Sequence, residues 1–260
     1  MIILMHSSKT MRVSNGSLCP SGTPALLDKA QELIDFLRTL KPAQLAKIMT
    51  ISTELAARTA EQYAQWSVAQ EDQSPAAATF VGDIYSGLRV DSFTTADRKH
   101  AEAHLRILSG LYGILRPFDG ISPYRLEMGC RLPPGHYASL YRFWGASVAE
   151  QLPSRGRIVN LAADEFSKVV SKHVDPERLV TPKFLTVDPK TGQPKFIVVH
   201  AKIARGAFAR WLITARIEDV DDVQSFAEIG YEHEPKLSTP GQPAFVCREF
   251  GGKGLSVRLT

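Results

Sequence analysis

The chain has little cysteine. Its three residues, Cys19, Cys130 and Cys247, lie far apart, with no Cys-x-x-Cys pair and no His/Cys group at zinc spacing. Neither a disulfide framework nor a structural zinc site is therefore expected. It also lacks a long apolar run: Met1-Ile2-Ile3-Leu4-Met5 is followed closely by polar Ser7-Ser8-Lys9. Five residues are too few for a membrane span or a signal peptide's apolar core, so they read as a first strand in a cytoplasmic protein. No fixed-period repeat occurs, which excludes a solenoid. The seven histidines are read as offering no metal cluster, and Glu232-His233-Glu234, the one mixed group, reads as a solvated loop. No metal or cofactor is expected. Net charge is only +4, which permits an anionic partner without demanding one.

What is present is ordinary globular material. Apolar residues make up 44% and charged residues 22% of 260, enough for a substantial core and too little charge for disorder. Pro24 to Leu40 repeats apolar residues at helical spacing, Pro42 can open a second helix, and Leu55 to Trp66 continues as a third. Loops are read over Ser14–Pro24 and Gln70–Pro75, and a short strand or turn over Thr79–Gly82. Hydroxyls from Ser92 to Thr95 can cap a helix running to about Leu111. Later, Arg157–Ala162 reads as a buried strand, and Lys183–Val187 and Phe196–His200 as the arms of a hairpin. Ala201–Arg216 returns to helical spacing and Ala244–Arg248 closes as a strand. A helix-rich first half and a hairpin-rich second half, with no linker, predict an α+β fold. The expected architecture is a single compact domain over 1–260, its mixed sheet surrounded by helices.

Four segments can carry chemistry. In Leu105–Pro117, Gly110 and Gly113 suit a tight turn between helices whose exposed N–H groups hold a phosphate, aided by Arg106 and Arg116; the plainer reading is glycines that turn the chain. In Ser122–Gly129, Arg125 and Glu127 point to one side of an extended segment. They make either a loop-fixing ion pair or a site where Arg125 binds an anion and Glu127 moves a proton. Asn160–Lys168 places Asp164 and Lys168 after a buried strand, as site residues or as a helix start with acids in its first turn. Lys195–Arg216 holds Lys195, Lys202, Arg205, Arg210 and Arg216 with no acid, either a solvated face or a contact for an anion. Lys9 can join them, although His6-Ser7-Ser8-Lys9-Thr10 lacks the glycines of a phosphate-binding loop. Tyr112 and Tyr124, inside these motifs, complete the binding candidates.

Several of these motifs recur together in one known family. Gly82–Leu88, His104–Pro117, Pro123–Gly129, Leu140–Gly145, Asn160–Glu165, Ala201–Gly206 and Phe226–Tyr231 follow the N-terminal strand and its Ser-x-Lys-Thr in order. This series resembles the YaaA peroxide-stress family over nearly the whole chain. It departs where Met5-His6-Ser7-Ser8 replaces a more usual Ser-Pro-Ala-like approach to the lysine, and where Phe166-Ser167 fills an aromatic-rich slot. The resemblance implies a compact domain, a basic cleft, a helix-hairpin-helix-like element and binding to double-stranded DNA. It also implies protection against peroxide, associated with lower free iron.

Two functions follow as expectations. The first is duplex binding, with phosphate contacts from Arg106, Arg116, Lys202, Arg205 and Arg210. The second is an enzyme whose cleft takes a purine nucleotide, nucleoside or base, with Glu127 or Asp164 as general acid/base and lysines or arginines stabilising negative charge. Iron sequestration is a third and weaker reading. The residues Lys9, Arg125, Glu127, Asp164 and Lys202, distant in sequence, are expected to converge.

Overall fold

The computed structural model describes residues 1–13, 18–69, 73–133 and 137–252. Parts of the loops read over 14–24 and 70–75 thus lie outside the described residues. The described chain runs β1 (Ile2–His6), β2 (Thr10–Met11), α1 (Leu27–Arg38), α2 (Pro42–Met49), α3 (Thr53–Gln65), β3 (Ser74–Pro75), α4 (Ala76–Thr79), β4 (Phe80–Val81), α5 (Asp83–Leu88) and α6 (Thr95–His104). It continues through β5 (Leu105–Ser109), β6 (Gly113–Leu115), β7 (Gly120–Ile121), α7 (Leu140–Trp144), β8 (Ile158–Asn160), α8 (Asp164–Ser171) and β9 (Leu179–Val180). Strand β10 (Lys183–Val187), β11 (Pro194–Lys195), α9 (Val198–Thr214), β12 (Tyr231–His233) and β13 (Ala244–Cys247) complete it.

Two mixed sheets organise these elements. The first has the order β6-β5-β1-β8-β9 and the second β11-β10-β13-β12. Strand β1 is the centre of the first and pairs in parallel with both β5 and β8. All five of its residues are buried, as a strand covered on both faces requires, which is why it reads as a continuous apolar run. The second sheet packs a ring cluster: Phe184 stacks on Phe245 at 5.5 Å, and Phe208 of α9 meets Phe184 edge-on at 5.5 Å. The α+β reading of a single compact domain holds.

Local signals explain most helix ends. Pro42 stands at the first position of α2, and Thr94 and Asp97 form a reciprocal capping box on α6, where each side chain accepts the other's backbone N–H. Helix α6 stops at His104 rather than near Leu111, because Leu105 turns into the central sheet.

Two expectations are corrected. Gly110 and Gly113 do not join helices: they turn the antiparallel pair β5–β6. Gly113 has φ +68°, and a Cβ on Gly110 would lie 2.4 Å from the Leu126 carbonyl oxygen, so glycine is needed at both. Phe196–His200 is not a strand. The hairpin arm is only Pro194–Lys195, and α9 starts at Val198 despite its β-branched residues. A two-helix hairpin does exist elsewhere, where α2 and α3 are joined by Thr50–Ser52, with Thr50 in the left-handed region at φ 53°.

Candidate functional site

The carboxyl ends of β1, β5 and β8 lie side by side, and the segments leaving them carry most of the expected site. Open sheets with parallel strands take ligands outside such ends. At the end of β1, buried His6 stacks on Phe166 of α8, ring centroids 5.0 Å apart. Its Nδ1 accepts the Ala163 N–H at 3.3 Å, so the ring proton sits on Nε2. The Tyr85 hydroxyl donates to the His6 carbonyl at 2.9 Å and fixes the strand end. Burial first, then the charges of Arg205 and Lys202, lower the imidazole to about 3, which makes it neutral at physiological pH.

The next turn brings Lys9 to the Ser122–Gly129 segment. Lys9 Nζ is 2.7 Å from Glu127 Oε2, and Arg125 Nη2 is 3.6 Å from Glu127 Oε1. Arg125 also donates to the Lys9 carbonyl at 3.4 Å, and its backbone carbonyl accepts from the buried Tyr63 hydroxyl. Its Nε is buried without a partner among the described residues. Gly110 permits this approach, because any side chain there would strike Leu126. The plainer reading of this pair, an ion pair, is therefore what the structure shows, with Lys9 as a further partner of Glu127.

Helices α8 and α9 supply the remainder. Asp164 opens α8, and its charge acts on Arg205, opposing the lowering that burial imposes on that guanidinium. Glu165 accepts the Gly129 N–H at 2.8 Å, while the Tyr141 hydroxyl donates to its carbonyl at 2.7 Å. Lys9, Arg125 and Glu127 are thus in direct contact. Lys202 and Arg205 act on His6, and Asp164 acts on Arg205, a second charged group with no described contact to the first. Positions for α9 come from a close helix crossing: a Cβ on Gly206 would lie 1.8 Å from the Ile84 carbonyl oxygen of α5.

Other expected residues lie elsewhere. Arg106 donates to the carbonyls of Glu102 and Leu105 at 2.9 and 2.7 Å, and Arg116 is 3.7 Å from Glu102. Arg210 reaches Ser92 at 3.4 Å, and Lys168 is exposed on α8 with no described contact to the cluster. Tyr112 is wholly buried, its hydroxyl accepting from Trp66 at 2.7 Å and from the Ser122 N–H at 3.1 Å. Tyr124 is buried against Ser109 at 2.7 Å. These two tyrosines are buried behind the site segment, their hydroxyls held by protein partners. The acid-free run does not make one basic face either, since Lys195 pairs with Asp188 and Arg216 with Asp97.

Sequence reasoning gave no part to His6, Tyr85 or Glu165, which the structure packs around these segments. Only the position of His6 at a strand's carboxyl end could have marked it. A cavity of about 600 Å³ between α2 and the 129–133 segment adjoins the cluster at Gly129 and is lined by Lys47 and Arg131. Among the described residues no helix is long and apolar enough to cross a membrane.

Residues 1–237 match the family described as peroxide stress protein YaaA. The chain belongs to that family. A UPF0246 protein of Salinispora tropica is 60% identical over 258 residues, covering 99% of this chain and 98% of that protein. UPF0246 proteins of a Marinomonas strain and of Shewanella denitrificans are 39% and 40% identical over 96% of this chain, with 98% and 99% of their own lengths covered. The family match bears out the resemblance read from the motifs. Within this member of the YaaA family, the charged cluster falls on the segments that carried that resemblance.

Proposed function

We propose that this peroxide-stress protein works through the cluster as a binding site for a small anionic ligand, with purine nucleotides and bases the first class to test. The reading rests on the contact of Lys9 and Arg125 with Glu127, together with a neutral, buried His6 that feels the charges of Arg205 and Lys202. Two cations share Glu127, which favours an anion whose charge replaces Glu127 as the looser partner of Arg125. Glu127, still held by Lys9, is then placed as general acid/base, and His6 Nε2–H as a neutral donor. Direct peroxide reduction by Cys130 is disfavoured. That thiol is buried and raised to about 11, first by burial and then by Glu127 and Glu165, and a reactive cysteine needs the opposite.

The test is a thermal-shift screen of purine nucleotides, nucleosides and bases on the full chain, since a ligand of the native state raises Tm by mass action. One compound should stabilise the protein, and Arg125→Ala should abolish the effect. Glu127→Gln should keep binding and remove turnover of that compound. No stabilisation by any of them would sink the reading.

A second reading, duplex DNA binding, is favoured by the α2–α3 hairpin, where Lys41 before α2, Lys47 in its last turn and Arg58 within α3 are exposed. It requires affinity that falls steeply with salt and weakens in Lys47→Ala but not in Arg125→Ala.

A further inference from the structure

We propose that His100, His104 and Glu218 bind a divalent transition-metal cation of the zinc class. The residues lie near the amino end of β1, beside Met1, whereas the charged cluster lies at its carboxyl end, about 16 Å away along five residues of strand. His100 and His104, a pair that the reading of the histidines as offering no metal cluster overlooked, are four apart in α6 and share one face, their rings stacked with centroids 4.1 Å apart. Glu218 arrives from the turn after α9. Arg216, with φ 58°, reverses the chain there, and its guanidinium reaches Asp97 Oδ1 at 2.8 Å, which clamps the turn to α6.

The ligand atoms of all three lie within 4.8 Å of one another. Glu218 Oε1 is 3.9 Å from His100 Nδ1 and 3.7 Å from His104 Nε2. Those separations are too long for hydrogen bonds. Two ligands on one tetrahedral zinc, each about 2.1 Å from it, stand about 3.4 Å apart, so a small closure suffices. Glu218 is 62% exposed and can supply that movement.

The hydrogen bond behind His104 supports the assignment. His104 Nδ1 is 2.8 Å from the Met1 carbonyl oxygen, which only accepts. The proton is therefore on Nδ1, and the Nε2 lone pair faces Glu218. Arg216 weakens attraction for a cation, but its pairing with Asp97 offsets part of its charge. Two imidazoles and one carboxylate suit zinc, cobalt or nickel over magnesium or calcium. Three protein ligands leave further positions to water.

The experiment uses the full chain, free of a polyhistidine tag and stripped of metal. Cobalt(II) titration should give visible absorption saturating at one equivalent, displaced by zinc and indifferent to excess magnesium. His104→Gln and Glu218→Gln should each weaken binding tenfold or more, with far-UV circular dichroism unchanged. Because Glu218 is exposed, its variant keeps the test valid if a histidine variant fails to fold. No cobalt uptake in the micromolar range, or uptake undiminished in both variants, would overturn the assignment.

Discussion

Gly206→Ala should destabilise the protein although alanine is the better helix former. Gly206 lies in the interior of α9, where alanine gains about 1 kcal/mol in intrinsic propensity. Against that, its Cβ would stand 1.8 Å from the Ile84 carbonyl oxygen and 2.8 Å from the Leu88 nitrogen. Both are backbone atoms of α5, so no rotamer change relieves the clash. The helices must separate by about 1.5 to 2 Å to restore ordinary contact. Overpacking of a core costs about 1–3 kcal/mol, occasionally more, and a backbone clash belongs at the upper end. The net loss is about 2 kcal/mol, which for a chain of this size lowers Tm by about 4 to 8 °C. Calorimetry and urea unfolding measure it. Gly87→Ala provides the paired test, because its Cβ would lie 2.2 Å from the Ile203 carbonyl oxygen at the same crossing. Once one variant has parted the helices, the second should cost less than it does alone, so the double variant should be sub-additive. A Tm for Gly206→Ala within about 1 °C of the parent would refute the claim that this crossing fixes Lys202 and Arg205.

Three further outcomes are expected. The His6 imidazole should stay neutral from pH 8 down to about 4 in nitrogen NMR, and Arg205→Ala should raise its pKa; a normal titration near 6.5 would contradict the burial described. Stability tied to this ring is present above its ordinary pKa and is lost as pH falls toward 3. Burial raises Asp119 to about 6, so the native state holds that proton more tightly than the unfolded chain. Its contribution is full below about pH 4 and lost as pH rises through 6, and the stability difference between parent and Asp119→Asn should shift by about 2 to 3 kcal/mol across that window. Thr94→Ala removes the acceptor for the Asp97 N–H at the start of α6 and should cost about 1 kcal/mol in urea unfolding, while an unchanged midpoint would deny the cap its role.

Periodicity and turn chemistry made much of this fold legible. Buried strands at Ile2–His6 and Ile158–Asn160, the Pro42 helix start and the Asp188–Gln193 turn all follow from local residue chemistry. The failures arose where one pattern satisfies two structures. Leu105, Leu108 and Leu111 fit a helical face, yet Leu105–Ser109 is a strand because β1 offers it a partner. Ile197-Val198-Val199 has strand propensity, but α9 is held helical by packing of Phe208 and Gly206 beyond it. The site was half visible. Arg125 and Glu127 announce themselves two apart in a polar motif, whereas His6 acquires its character only from Phe166, Lys202 and Arg205, which the sequence does not place beside it.

The position of β1 bears on how the molecule is made. Strand β1 is apolar up to its last residue, His6, and its nearest partner, β5, begins at Leu105. At about 5–20 residues per second, roughly 5 to 20 s of synthesis separate the two. The other flank, β8, follows later still. During that interval Ile2–His6 is a sticky strand with both edges unpaired, the kind of segment that holdase chaperones cover. Translation speed between β1 and β5 therefore sets how long the nascent chain is exposed to misassembly, and rare codons placed there should lower soluble yield more than the same codons placed after Asn160.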